Sequence, residues 1–154
     1  MEAALNDEQI RLLDADLEEF RRRLRVRVRR AMRDAAPEGV GSPAFHIVEA
    51  LAARGPLSPS DLAALLEVRT STMAAHLDRL EDLGWVRREA AGGKRVRAAA
   101  TPSGEAALAR YVCARVDVLR DALRPLDAAQ LQQLAQALRA CVGEGLASGG
   151  TPAG

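Results

Sequence analysis

"LSPSDLAALLEVRTSTMAAHLDRLEDLGWVRRE", residues 57–89, decides how the rest of the chain is read. Ser58 is a capping residue, Pro59 suits a first helical position and Asp61 stands where its side chain reaches back to the cap, so a short helix opens here. Leu66 and Val68 close it. A second helix follows from about Thr70 to Leu83 and stops at Gly84. With Leu62, Ala63, Leu66, Val68, Met73, Leu77 and Leu80 turned inward, the pair reads as a helix-turn-helix. Ala63 matters because two steeply crossing helices leave room only for a small side chain at the crossing.

Beyond Gly84 the period changes. In "WVRREAAGGKRVRAAAT" two short basic segments flank Ala90 to Gly93, which fits a hairpin with a glycine tip. A basic hairpin directly after the second helix makes the unit a winged helix-turn-helix. Such a unit lays its second helix in the major groove, whose base edges distinguish all four pairs, while the wing reaches the backbone or minor groove.

Helices flank this unit on both sides. Asn6 with Gln9 three places on is a capping box, and Ile10, Leu13, Leu17, Phe20 and Leu24 follow at spacings of three and four, an apolar seam sustained for two heptads. That seam overrides the strand-like alternation of "LRVRVR" at residues 24–29, which comes from arginine at every second site. Pro37, Gly39 and Gly41 end the long helix; Ser42 and Pro43 start the next, with Ala44, Ile47, Val48 and Leu51 as its apolar face. Thr101 and Pro102 open a fifth helix reaching about Arg124, and Asp127 with Gln130 caps a sixth.

Composition narrows the class. The chain has 154 residues, 48% of them hydrophobic, enough for a real core and too apolar for disorder. The net charge of +1 averages two opposite blocks, acidic in residues 1–20 and arginine-rich from Arg21 to Arg33. Cys113 and Cys141 stand apart with no CxxC spacing, so no disulfide framework, zinc site or other metal centre is expected. No signal peptide and no membrane-length apolar run is found, which places the protein in the cytoplasm with no membrane partner. No phosphate loop or nucleophile-and-base pair involves His46 or His76, so neither an enzyme nor a cofactor is expected. His46, beside Phe45, is read as structural.

The residues "LSPSDLA", "STMAAHLDRLEDLGWVRR" and "TPSGEAAL", in an order of elements spanning residues 5–142, make the chain resemble the MarR family of transcriptional regulators. The resemblance implies a mainly α fold with a small β-hairpin wing. Residues 1–41 would form a dimerisation helix and linker, 42–101 the DNA-binding lobe, 102–147 the C-terminal dimerisation helices and 148–154 a flexible tail. It also implies a homodimer on a palindromic operator of double-stranded DNA, usually a repressor released by a small-molecule effector or an oxidant. The wing departs from the family's pattern: "GGKRVR" lacks the usual Asp, so Lys94 or Arg95 must substitute for the usual arginine contact.

The residues expected at DNA are Arg69, Thr70, Ser71, Thr72, Ala75, His76 and Arg79 of the second helix, with Arg88, Lys94, Arg95 and Arg97 of the wing region. Ala74 and Ala75 meet a thymine methyl but form no hydrogen bond. His76 is read either as a DNA contact or as a packing residue. The dimerisation residues are Ile10, Leu13, Leu17, Phe20, Leu131, Leu134 and Leu138. The run from Arg21 to Arg33 is a solvated face pairing with acids across the dimer, a lining for anionic ligands, or a further DNA contact. Cys113 and Cys141 are two packed thiols or a redox pair. A second class stays open: a dimeric ligand-sensing or protein-interaction module that keeps the scaffold with weak or no specific DNA binding.

Overall fold

The computed structural model describes residues 6–33, 36–37, 39–93 and 95–147. Six helices and two strands follow in the order α1 (Asp7–Ala31), α2 (Ser42–Arg54), α3 (Pro59–Leu65), α4 (Thr70–Asp82), β1 (Val86–Ala90), β2 (Val96–Ala100), α5 (Pro102–Ala122) and α6 (Ala128–Ala147). The fold is mainly α with a two-stranded wing, as the sequence implies. The chain divides into two compact units after Val118, within α5.

The starts of α1, α3 and α6 lie where the capping signals put them, whereas Ser42, expected to cap α2, is its first residue, behind an N-cap Gly41 that makes no side-chain hydrogen bond. Asn6 accepts from the Gln9 amide at 2.8 Å and Gln9 returns the bond to the Asn6 amide at 3.0 Å. Asp127 and Gln130 repeat the same box at the head of α6. Ser58 accepts from the Asp61 amide at 3.1 Å and starts α3. Each cap satisfies amides that an α-helix leaves without an internal partner.

The core of the first unit joins α2, α3, α4 and the wing. Ile47, Val48, Leu51, Leu62, Met73, Leu77 and Leu80 are each at most 2% exposed and belong to one cluster with Trp85, Val86 and Ala107. Three of the four aromatic residues in the chain meet here. Phe45 of α2 stacks on Tyr111 of α5 with ring centres 4.1 Å apart, and Trp85 lies 5.5 Å from Phe45. The fourth, Phe20, lies on α1 at 38% exposure.

The "TPSG" segment explains how α5 attaches. Thr101 Oγ1 donates to the Gly84 carbonyl at 2.5 Å and accepts from the Gly104 amide at 3.1 Å, while the Thr101 amide donates to the Trp85 carbonyl at 3.0 Å. Gly104 then passes so near the Trp85 backbone that a Cβ there would overlap its carbonyl. The glycine is required by space, since its φ is not in the left-handed region.

Along α1 the apolar seam divides. Ile10, Leu13 and Leu17 are 47–48% exposed, whereas Leu24 is half-buried and Val28 and Met32 enter the core. "LRVRVR" is helical throughout. Two expectations are corrected. Val68 is 38% exposed instead of inward, because the chain after α3 turns it outward at the junction with α4. His46 is exposed on α2 and is not part of the core, since Ala44, Phe45, Ile47 and Val48 supply that helix's buried face. The expected tail at 148–154 lies outside the described residues.

Gly104→Ala should lower stability by about 1–3 kcal/mol, the usual cost of overpacking. Urea unfolding would measure this, with Ser103→Ala one residue earlier as the control that leaves the midpoint nearly unchanged.

Candidate nucleic-acid interface

The turn between α3 and α4 is short and tight. Leu66 caps α3, Glu67 adopts a left-handed φ of 54°, and the Val68 amide donates to the Ala63 carbonyl at 2.9 Å. A non-glycine residue in this region is uncommon and mildly strained. Ala63, 3% exposed, lies at the crossing, where a larger side chain would separate the helices.

α4 is set on this crossing by its inner face. Met73, Leu77 and Leu80 are at most 1% exposed, and α4 amphipathicity does the rest: Thr70, Ser71, Thr72, Ala75, Asp78 and Arg79 all point away from the core and are exposed. Arg69, at the N-cap position, is also exposed. His76 is half-buried and lines a shallow recess of about 110 Å³ with Arg79 and the Gly39–Gly41 segment before α2. Both roles expected of His76 therefore meet at one position.

The wing is an antiparallel ladder with Val86 opposite Ala100, Arg88 opposite Ala98 and Ala90 opposite Val96. Leu57 and Ala98 exchange backbone hydrogen bonds of 3.0 and 2.8 Å, so the start of the helix-turn-helix is tied to β2. At the tip, Gly92 and Gly93 have φ of 84° and 61°, conformations open to glycine at no steric cost.

The arginines of the wing divide into two groups. Arg87 forms an ion pair with Glu89. Arg88 donates through both terminal nitrogens to Asp78 at 2.5 Å and Glu81 at 2.6 Å on α4. The Asp78 hydrogen bond, ahead of the attraction to both acids, raises the Arg88 pKa above its ordinary value. Arg95 and Arg97 are exposed and carry no ion pair among the described residues. Lys94 lies outside the described residues. The sequence alone does not separate these cases, because a charge pattern along a strand does not say which side chain folds back onto a helix seven or ten residues earlier.

The arginine run of α1 is partly used within its own helix. Arg21 pairs with Glu18, and Arg22 and Arg23 share Glu19 at 2.7 and 2.5 Å. Arg22 first, then Arg23, lowers the Glu19 carboxyl from 4.5 to about 2. In α6, Leu131, Leu134, Leu138 and Val142 are 37–61% exposed and recur on one side of the helix. Cys113 and Cys141 are both exposed, so the packed-thiol reading does not hold for the protomer. Among the described residues no group of three or more His, Cys, Asp and Glu converges as a metal site would, and no helix is long and apolar enough to cross a membrane.

A helix-turn-helix with a strand wing, flanked by long helices, defines a winged-helix protein. Residues 38–95 match the model of the MarR family. Over 88 residues the chain is 38% identical to the HTH-type transcriptional regulator PecS of Dickeya dadantii, a match covering 54% of this chain and 53% of that protein. The chain thus spans about half the length of this curated relative. Among solved structures, a MarR family protein from Bacillus stearothermophilus superposes with a TM-score of 0.79 at 22% identity, over 92% of this chain and 98% of that one. The apo form of MarR from E. coli gives 0.69 at 18% identity, over 84% and 96%. Residues 38–95 of this chain are thus similar to the MarR family, and its fold is the winged-helix fold of the MarR proteins it superposes on.

The strain at Glu67 has a measurable sign. Glu67→Gly should leave the thermal midpoint unchanged or raise it, whereas Glu67→Val should lower stability by about 1–2 kcal/mol, since left-handed backbone costs a side chain that much and a β-branched one more.

Proposed function

We propose that this chain is a DNA-binding transcriptional regulator of the MarR type, a homodimer that represses from a palindromic operator in the cytoplasm and is released by a small molecule or an oxidant. The observation that carries the reading is the exposed Thr70, Ser71, Thr72 and Ala75 face of α4, held on a buried Met73, Leu77 and Leu80 face beside a wing whose Arg95 and Arg97 carry no ion pair among the described residues. Hydroxyls at the start of a recognition helix read base edges or phosphates, and the Ala75 methyl meets a thymine methyl. Arg95 and Arg97 supply the backbone or minor-groove contacts, with Lys94 beside them in sequence. Arg69, His76 and Arg79 extend the helix's contacts. The regulator PecS, similar over 88 residues, points the same way.

The dimer is supported by apolar side chains that the protomer leaves in water. Ile10, Leu13, Leu17 and Phe20 on α1 and Leu131, Leu134 and Leu138 on α6 are 37–52% exposed. Covering such rows against a second copy removes apolar surface from water at roughly 25 cal/mol per Å². The acidic and the arginine-rich block of α1 then add register. A palindromic operator follows from two-fold symmetry, since each recognition helix reads one half-site.

The alternative, a sensor or protein-interaction module with little specific DNA binding, is favoured by one observation: Arg87 and Arg88 are engaged by acids, which leaves the wing with fewer free cations than its sequence advertises.

Titrating the full chain with duplex from its own upstream intergenic DNA, against random duplex, at several salt concentrations, discriminates these readings. Preferential binding with two protomers per site is expected, and Arg95→Ala or Arg97→Ala should each reduce the slope of log K against log salt by about 0.9, one phosphate's worth. Weak binding, equal on both duplexes, favours the alternative. Independently, Leu17→Asp should convert the dimer to monomer or unfold it in sedimentation; an unchanged dimer removes α1 from the interface.

A further inference from the structure

Arg88 is placed by its sequence neighbours among the DNA contacts, and by the structure somewhere else. It stands mid-strand in β1, opposite Ala98, whose backbone is also bridged to Leu57. Its guanidinium spans to α4, with one terminal nitrogen on Asp78 Oδ1 at 2.5 Å and the other on Glu81 Oε2 at 2.6 Å. Asp78 and Glu81 are three residues apart, hence neighbours on one side of α4. The Arg88 side chain is 34% exposed, less than those of Arg21, Arg22, Arg23, Arg87 and Arg124 in their ion pairs, so it is held closer to the protein than they are.

Two physical points give the arrangement a consequence. A two-stranded hairpin is marginal by itself, so its orientation depends on lateral ties. A planar guanidinium with both ends bound fixes direction as well as distance, which a single-point ammonium does not. Acids on a helix facing nucleic acid also repel phosphate unless they are neutralised. Arg88 meets both demands at once.

Resting on the DNA-binding reading above, we propose that Arg88 is a positioning residue: with Asp78 and Glu81 it clamps the wing to the recognition helix, sets the span between the two DNA-contacting elements, and touches no phosphate itself. The claim reverses a simple charge argument. By charge alone, removing two acids from a DNA-binding helix tightens binding. The clamp requires that removing them weakens it, because the wing loses its fixed angle.

The test compares the full chain with Arg88→Ala, Arg88→Lys and the double variant Asp78→Asn/Glu81→Gln. Each is titrated with upstream intergenic duplex and with random duplex over a salt series, and amide hydrogen exchange of residues 86–100 is followed in the free protein. Arg88→Ala and the acid double variant should both lose about tenfold in affinity for the upstream duplex, with a smaller preference over random DNA, an unchanged salt slope and faster exchange in both strands. Arg88→Lys should fall between them and the parent. The proposal is overturned if Arg88→Ala reduces the salt slope by about 0.9, as loss of a phosphate contact does, while the acid double variant binds more tightly. Should the parent chain show no preference for its upstream DNA, the regulator reading fails, and exchange alone then decides the clamp: strand amides unaffected by Arg88→Ala overturn it, and accelerated ones support it.

Discussion

The burial of one side of α4 is the constraint on which the candidate interface depends. Met73, Leu77 and Leu80 leave water completely, and they do so against Leu62 and the α2 residues Ile47, Val48 and Leu51 in a single cluster. A helix seated by three apolar side chains on one face has its opposite face determined by geometry. That is why Thr70, Ser71, Thr72 and Ala75 are presented together. The same constraint reaches backwards: α3 must cross α4 closely, which needs the small Ala63 and forces Glu67 into a left-handed turn.

The wing and α5 are built onto that seat through backbone contacts more than through side-chain bulk. Leu57 bonds β2, Trp85 and Gly84 accept from Thr101, and Gly104 lets α5 begin against the Trp85 backbone. Phe45, Trp85 and Tyr111 then join α2, the segment between α4 and β1, and α5 in one aromatic group. A change in how α5 is held therefore bears directly on the base of α4. Packed aromatic contacts of this kind transmit displacement because interiors are dense and leave little slack.

Charge is distributed with a similar economy. Of the arginines that make the chain look like a general polyanion binder, Arg21, Arg22 and Arg23 are held by Glu18 and Glu19, Arg87 by Glu89, and Arg88 by Asp78 and Glu81. Exposed pairs of this sort contribute little to stability, typically about 0–1 kcal/mol each. Their larger effect is to decide which cations remain available to a partner. Among the described residues of the wing those are Arg95 and Arg97.

The sequence by itself determined the element order, the helix starts and the helix-turn-helix, because caps, glycine and proline stops and apolar periodicity are local signals acting within a few residues. It also marked Leu13, Leu17, Leu131 and Leu138 as apolar side chains on helical stripes, since a heptad pattern is visible without knowing what covers it. Only the tertiary structure decided that Val68 turns outward, that His46 lies in water, that Gly104 is needed for space, and that Arg88 folds back onto α4. Each of these depends on which atoms from distant parts of the chain arrive at the same place, and a side chain's type does not carry that information. A basic residue in a wing looks the same in sequence whether it meets a phosphate or two carboxylates; the direction in which the strand turns its side chain makes the difference.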